Sequence, residues 1–97
     1  MRAILTGYVK DAGYDKGVIT KLIKFYKSFH DLKSSGELTK VLNLRHLVES
    51  ITLSENEEQI GSMLTDLIPT IVTMDIHGYP NESQQAIVEA LIEKAGF

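Results

Sequence analysis

An all-α bundle of about five helices is the fold class this sequence predicts, and three observations carry the prediction. Apolar residues recur at spacings of three and four in each long segment. Helix start and stop residues bracket those segments. The one stretch that reads as a strand, TIVTMD, has no second strand signal to pair with, and an unpaired strand is not stable alone. With 97 residues the chain is expected to form a single domain over 1–97, because one hydrophobic core usually serves about 50 to 200 residues.

The first helix is expected from about Arg2 to Lys10, with Ile4, Leu5, Tyr8 and Val9 on one side, and it ends near Gly13. The clearest periodic segment runs from about Lys16 to Lys33, where Ile19, Leu22, Ile23, Tyr26 and Phe29 form a stripe. Asp15 stands ready to cap its start, and Gly36 lies just past its end. After the polar link SSGELTK, Asn43 caps a third helix in which Leu44, Leu47, Val48 and Ile51 point inward. Ser54 followed three residues later by Glu57 reads as a capping box for a fourth, with Ile60, Met63, Leu64, Leu67 and Ile68 inside. Pro69 lacks the helical donor, so this helix should stop or kink near Leu67, and TIVTMD is expected to be a helix end or an irregular connection. Asn81 and Gln84 pair as another cap, opening a last helix from Glu82 to about Lys94 that turns Ile87, Val88, Leu91 and Ile92 inward. Short links favour antiparallel neighbours.

Composition narrows the function classes without naming one. The 43% hydrophobic and 24% charged content is that of a globular chain and lies far from the disordered corner. Without Cys there is no disulfide, no thiolate chemistry and no Cys-based zinc site. No apolar run approaches the roughly 18 residues a membrane-spanning helix needs, and the amino terminus turns polar too soon for a signal peptide, so a cytoplasmic location without membrane attachment is expected. A net charge of −3 gives no general attraction to nucleic acid.

Chemistry-bearing motifs are scarce. Neither GxxxxGK[ST] nor GxGxxG occurs, so the chain by itself is not expected to hydrolyse a nucleotide, and nothing resembles a nucleophile elbow. His30, His46 and His77 lie on different elements; only His46 with Glu49 shows helical pair spacing, and two ligands make a poor metal site, so no metal is expected. Lys16, Lys21, Lys24, Lys27 and Lys33 form a basic side on the second helix, which reads first as a solvated face. A helix-turn-helix needs a polar or basic recognition helix, whereas LRHLVESITL carries one arginine and one glutamate, which argues against nucleic acid as a partner.

Arg45 is the residue that local physics does not explain. It falls in the first turn of the helix behind Asn43, where free N–H groups and the helix dipole already make the potential positive. One reading is a surface arginine paired with a nearby carboxylate. The other is an anion site, since a helix amino terminus attracts phosphate and a first-turn guanidinium adds a bidentate donor.

The stretch YDKGVITKLIKFYKSFHDLKSSGELTKVLNLRHLVES resembles the carboxy-terminal lid of MoxR-like AAA+ ATPases, in the branch that includes the CbbQ and NorQ type activators. In that lid a long helix with a pattern like LVxLxxxLR leads through a link to a short S-T-R-x-L-V segment opening the next helix. Asn43, Leu44 and Arg45, followed by Leu47 and Val48, occupy that segment here, with Asn43-Leu44 in place of Ser-Thr. The resemblance implies that Arg45 is a sensor-2 arginine reaching the phosphates of ATP, with Asn43 and His46 as supporting positions. It implies further that a preceding α/β core holds ATP and Mg, that neighbouring subunits form a ring, commonly a hexamer, and that a von Willebrand factor A domain protein is a possible partner in remodelling targets. The chain would then be the lid of a larger ATPase, without catalytic residues and without a cofactor of its own. The alternative is a free-standing helical module that binds or regulates another protein through an apolar groove or its lysine side.

Overall fold

The computed structural model describes Met1–Phe97 as helices α1 (Arg2–Ala12), α2 (Gly17–Ser34), α3 (Leu44–Thr52), α4 (Ile60–Asp66), α5 (Ile68–Ile71) and α6 (Glu82–Ala95), with a 3₁₀ turn at Glu57–Gln59 before α4. There is no strand; a single isolated antiparallel bridge joins Met74 to Pro80. The all-α class expected from the sequence is therefore the observed one. The extra elements arise where the expected fourth helix is divided into the 3₁₀ turn, α4 and the one-turn α5. Pro69 is the local cause: it sits at the start of α5, where its missing N–H is harmless, and α4 ends three residues earlier.

Helix α2 packs against α1 on one side and α6 on the other; α6 also packs on α4, α4 on α3, and α3 back on α1. These five helices close into a ring around one cluster of 21 buried apolar residues. Leu22, Phe25 and Phe29 of α2, Leu5 of α1, Leu47 of α3, Leu64 of α4 and Val88 of α6 are all completely buried. Phe25 and Phe29 meet with ring centroids 6.3 Å apart and planes inclined at 58°, a tilted aromatic packing. Phe25 was not on the expected stripe. It widens the buried arc of α2 enough to serve two neighbouring helices, while Tyr26 is only partly buried.

Helix boundaries follow the signals in the sequence, with two displaced caps. Gly13 ends α1 in the left-handed conformation at φ +76°, and its amide and that of Tyr14 bond to the carbonyls of Lys10 and Val9. The N-cap position of α2 falls to Lys16 and not to the expected Asp15, whose carboxylate instead accepts from Gly17 N–H at 2.7 Å in the preceding turn; Gly36 follows the helix end at φ +88°. The Asn81 side chain accepts from Gln84 N–H at 3.1 Å, as the cap of α6 requires. Before α4, however, the cap is Asn56 and not Ser54: Asn56 Oδ1 accepts from Gln59 N–H, and Gln59 Oε1 accepts from Glu55 N–H. Ser54 instead bonds back to the carbonyl of Ser50, and the Glu57 carboxylate accepts from Asp15 N–H in the α1–α2 turn. The Tyr14 hydroxyl also donates to Ser54 O at 3.0 Å, so this turn is fastened to the 54–57 turn at two points.

The connections are anchored by buried side chains. Leu38 and Leu42 of the link before α3 are 1% and 0% exposed, which makes that link part of the core despite its polar appearance. Ile71 and Val72 are likewise fully buried after Pro69. Between Met74 and Pro80 the Asp75 carboxylate accepts from His77 N–H at 2.8 Å and Tyr79 N–H at 2.9 Å, building a tight loop that leaves Ile76 and Tyr79 bare. Burial on α1 is narrower than expected: Leu5 and Val9 are in the core, whereas Ile4 and Tyr8 are exposed.

These differences set the expected mutational profile. Phe29→Ala should cost about 3–5 kcal/mol by leaving a large void under α2, whereas Ile76→Ala should change stability by no more than about 0.5 kcal/mol. Denaturant melts of the two variants check this: comparable losses would contradict a core built around Phe29.

Candidate functional site: the start of helix α3

Asn43, Arg45, His46 and Glu49 define the amino-terminal end of α3. The link carrying Leu38 and Leu42 delivers the chain to Asn43, which adopts the extended N-cap conformation at φ −96°, ψ 158°. Leu47 and Ile51 then pin α3 to the core by one face, with exposures of 0% and 1%. Because Arg45 lies two residues before Leu47, its side chain is turned outward. It is 76% exposed.

The guanidinium has one partner. Arg45 Nε lies 3.7 Å from Glu49 Oε1 one turn along the helix, a long i,i+4 contact between solvent-exposed groups. Such a pair contributes only about 0.3–0.5 kcal/mol. It is also the only ion pair in a chain with ten Lys and Arg and thirteen Asp and Glu. No acidic residue occupies the first turn of α3, so nothing there offsets the dipole. The arrangement leaves the Arg45 guanidinium in solvent beside the positive end of the α3 dipole, with Glu49 one turn further along the helix as its one partner.

His46 has the opposite character. It is 5% exposed, and its Nδ1 accepts from Asn43 N–H at 2.9 Å. It thus performs the backward half of a capping box, a role that Glu or Gln usually fills. An accepting Nδ1 puts the ring proton on Nε2 and keeps the imidazole neutral. Burial pushes its pKa below the ordinary value of 6.5; Glu49 opposes that shift and Arg45 adds to it. Sequence reading placed His46 beside Arg45 but missed this capping role. The available signal was a histidine at the third helical position behind a good N-cap.

The other candidate groups are dispersed. His30 Nε2 lies 3.3 Å from Leu42 O and its ring is 4.3 Å from that of Tyr26, while His77 is exposed on the Asp75–Tyr79 loop. No three His, Asp or Glu side chains come together as a metal-binding group. On α2, Lys21, Lys24 and Lys27 are exposed with Lys16 just before them, and none forms an ion pair; Lys33 is half-buried. Lys21 Nζ lies 5.7 Å above the Phe97 ring.

The neutral, buried His46 makes stability depend on pH. Below about 6.5 the unfolded chain binds a proton at His46 that the native chain resists, so this contribution to stability is complete above that value and is lost as pH falls toward the depressed native pKa. His46→Gln keeps an acceptor for Asn43 N–H and removes the titration. Urea melts between about pH 7.5 and 5.5 should therefore show a smaller loss of stability in the variant than in the natural chain; equal slopes would place His46 outside this linkage. Compared with family models, curated proteins and solved structures, the chain matches none.

Proposed function

We propose that the chain is the helical lid of an AAA+ ATPase, closing over ATP that a separate α/β core binds and coupling hydrolysis to the remodelling of partner proteins. The observation that carries this reading is Arg45: a fixed cation in the first turn of α3, 76% exposed and held by a single long contact to Glu49. A cation there opposes the helix dipole, and bound phosphate outweighs that cost by accepting from the guanidinium and the first-turn amides together. The geometry supports the role in a second way. His46 and Asn43 fix the first turn, and Leu47 fixes the face, so the base of the Arg45 side chain is held while its tip is restrained only by the long, exposed contact to Glu49.

On this reading the core supplies the phosphate-binding loop, the catalytic acid and Mg, and Arg45 senses whether the γ-phosphate is present. The lid alone gains too little from one arginine contact to offset the loss of freedom of a bound nucleotide. Ring neighbours and a von Willebrand factor A domain protein belong to the same reading, as does a cytoplasmic setting. A free-standing interaction module is the second reading, and the bare Leu53, Ile76 and Tyr79 side chains favour it.

Two measurements decide between them. The reading frame upstream of the Met1 codon should encode an α/β core with a GxxxxGK[ST] loop; an in-frame stop directly before Met1 would leave only the interaction module. In the parent ATPase, Arg45→Ala should lower kcat for ATP at least about tenfold while shifting the stability of the helical domain by less than about 0.5 kcal/mol. Unchanged turnover would return Arg45 to the role of a surface ion-pair partner. Amide NMR of the 97-residue chain titrated with ATP should show no saturable shifts from Asn43 to Leu47 at micromolar nucleotide.

A further inference from the structure

Helices α3 and α4 leave a groove between them that the nucleotide reading does not use. Glu49, Ser50, Leu53, Met63, Asp66 and Leu67 line it, and its half-open space measures about 250 Å³. Leu53, just past the end of α3, stands at its lip with 67% of its surface exposed, although most large apolar side chains of the chain are buried. Met63 and Leu67 are half-buried along the other wall. Ser50 is buried, and its hydroxyl is already committed to Leu47 O at 2.6 Å, so it offers no free donor to a ligand. The space is smaller than the roughly 300–1,000 Å³ typical of small-molecule sites and suits one or two aliphatic side chains.

Charge identifies what carries those side chains. The carboxylates of Glu49 and Asp66 flank the groove, and no Lys or Arg lines it. Arg45, the weak partner of Glu49, is not among the lining residues. An acidic rim repels nucleic acid and anionic lipid, and it favours a Lys or Arg placed one turn from an apolar anchor. A groove between two helices with a flexible methionine in its wall accepts a helical segment by its apolar face. We infer that the α3–α4 groove is a docking site for a basic amphipathic helix of a protein partner, with an aliphatic anchor between Leu53 and Met63 and cations against Glu49 and Asp66. The site requires no nucleotide; it shares Glu49 with Arg45, so a partner cation there competes with the Arg45–Glu49 contact, whereas Asp66 has no ion-pair partner in the chain.

The chain carries its own control. Glu82, Gln85, Ala86 and Glu89 form a second acidic surface on α6, equally negative but lacking any large apolar residue. The test is amide NMR of the labelled chain with two synthetic helical peptides, one built from Leu and Lys and its twin from Leu and Glu. The Lys peptide should produce saturable shifts that centre on Glu49–Leu53 and Met63–Leu67, and the Glu twin should not. Leu53→Ser, at an exposed position that the fold does not need, should weaken the Lys peptide about fivefold or more; Asp66→Lys should weaken it and raise the affinity of the Glu twin. Shifts spread equally over the α6 surface, or affinity unchanged by Leu53→Ser, would mean simple ionic attraction and overturn the docking site. Absence of saturable shifts at millimolar peptide would overturn it equally.

Discussion

Burial of α2 is the constraint on which the rest of the bundle depends. Its apolar residues, from Val18 through Phe29, cover an arc too wide for one neighbour, so α1 and α6 must both pack on it. Two flanking helices still leave the core open on the far side, and α3 and α4 close it. The ring of helices follows from that requirement. Polar links are drawn into the same task, since Leu38, Leu42, Ile71 and Val72 seal the seams where helices alone would leave gaps.

The start of α3 is where this packing meets chemistry. The link that seals the core with Leu42 also sets Asn43 at the N-cap, and His46 closes the first turn from inside. Neighbouring residues then take opposite fates by helical geometry: His46 goes into the core as a neutral acceptor, and Arg45 goes out to solvent as a fixed charge. A cation left almost unpaired at a helix amino terminus is locally unfavourable, because the helix dipole there carries the same sign. Glu49 connects this feature to the α3–α4 groove, because the same carboxylate meets Arg45 and lines the groove.

Much of the bundle was legible in the sequence because helices announce themselves locally. Spacing of three and four, the caps at Asn43 and Asn81, the glycines after α1 and α2 and the break at Pro69 all act within a few residues of themselves. The misreadings share a cause. Ile4 and Tyr8 fit the apolar pattern as well as Leu5 and Val9, yet only contact with α2 and α3 selects which pair is buried. Ser54 and Glu57 fit a capping box, yet Asp15 of another turn claims the Glu57 carboxylate and leaves the capping to Asn56.

By itself, then, the sequence determined the helical class, the approximate extent of its long helices and the presence of an arginine where the helix dipole disfavours one. Each is a property of residues within one or two turns of each other. Tertiary structure alone decided that Arg45 is exposed while His46 is buried, that Leu38 and Leu42 belong to the core, and that α3 and α4 leave an acid-rimmed groove beside Leu53. Those outcomes depend on which surfaces distant segments cover. Covering is a matter of volume and contact across the whole chain, which no local pattern encodes.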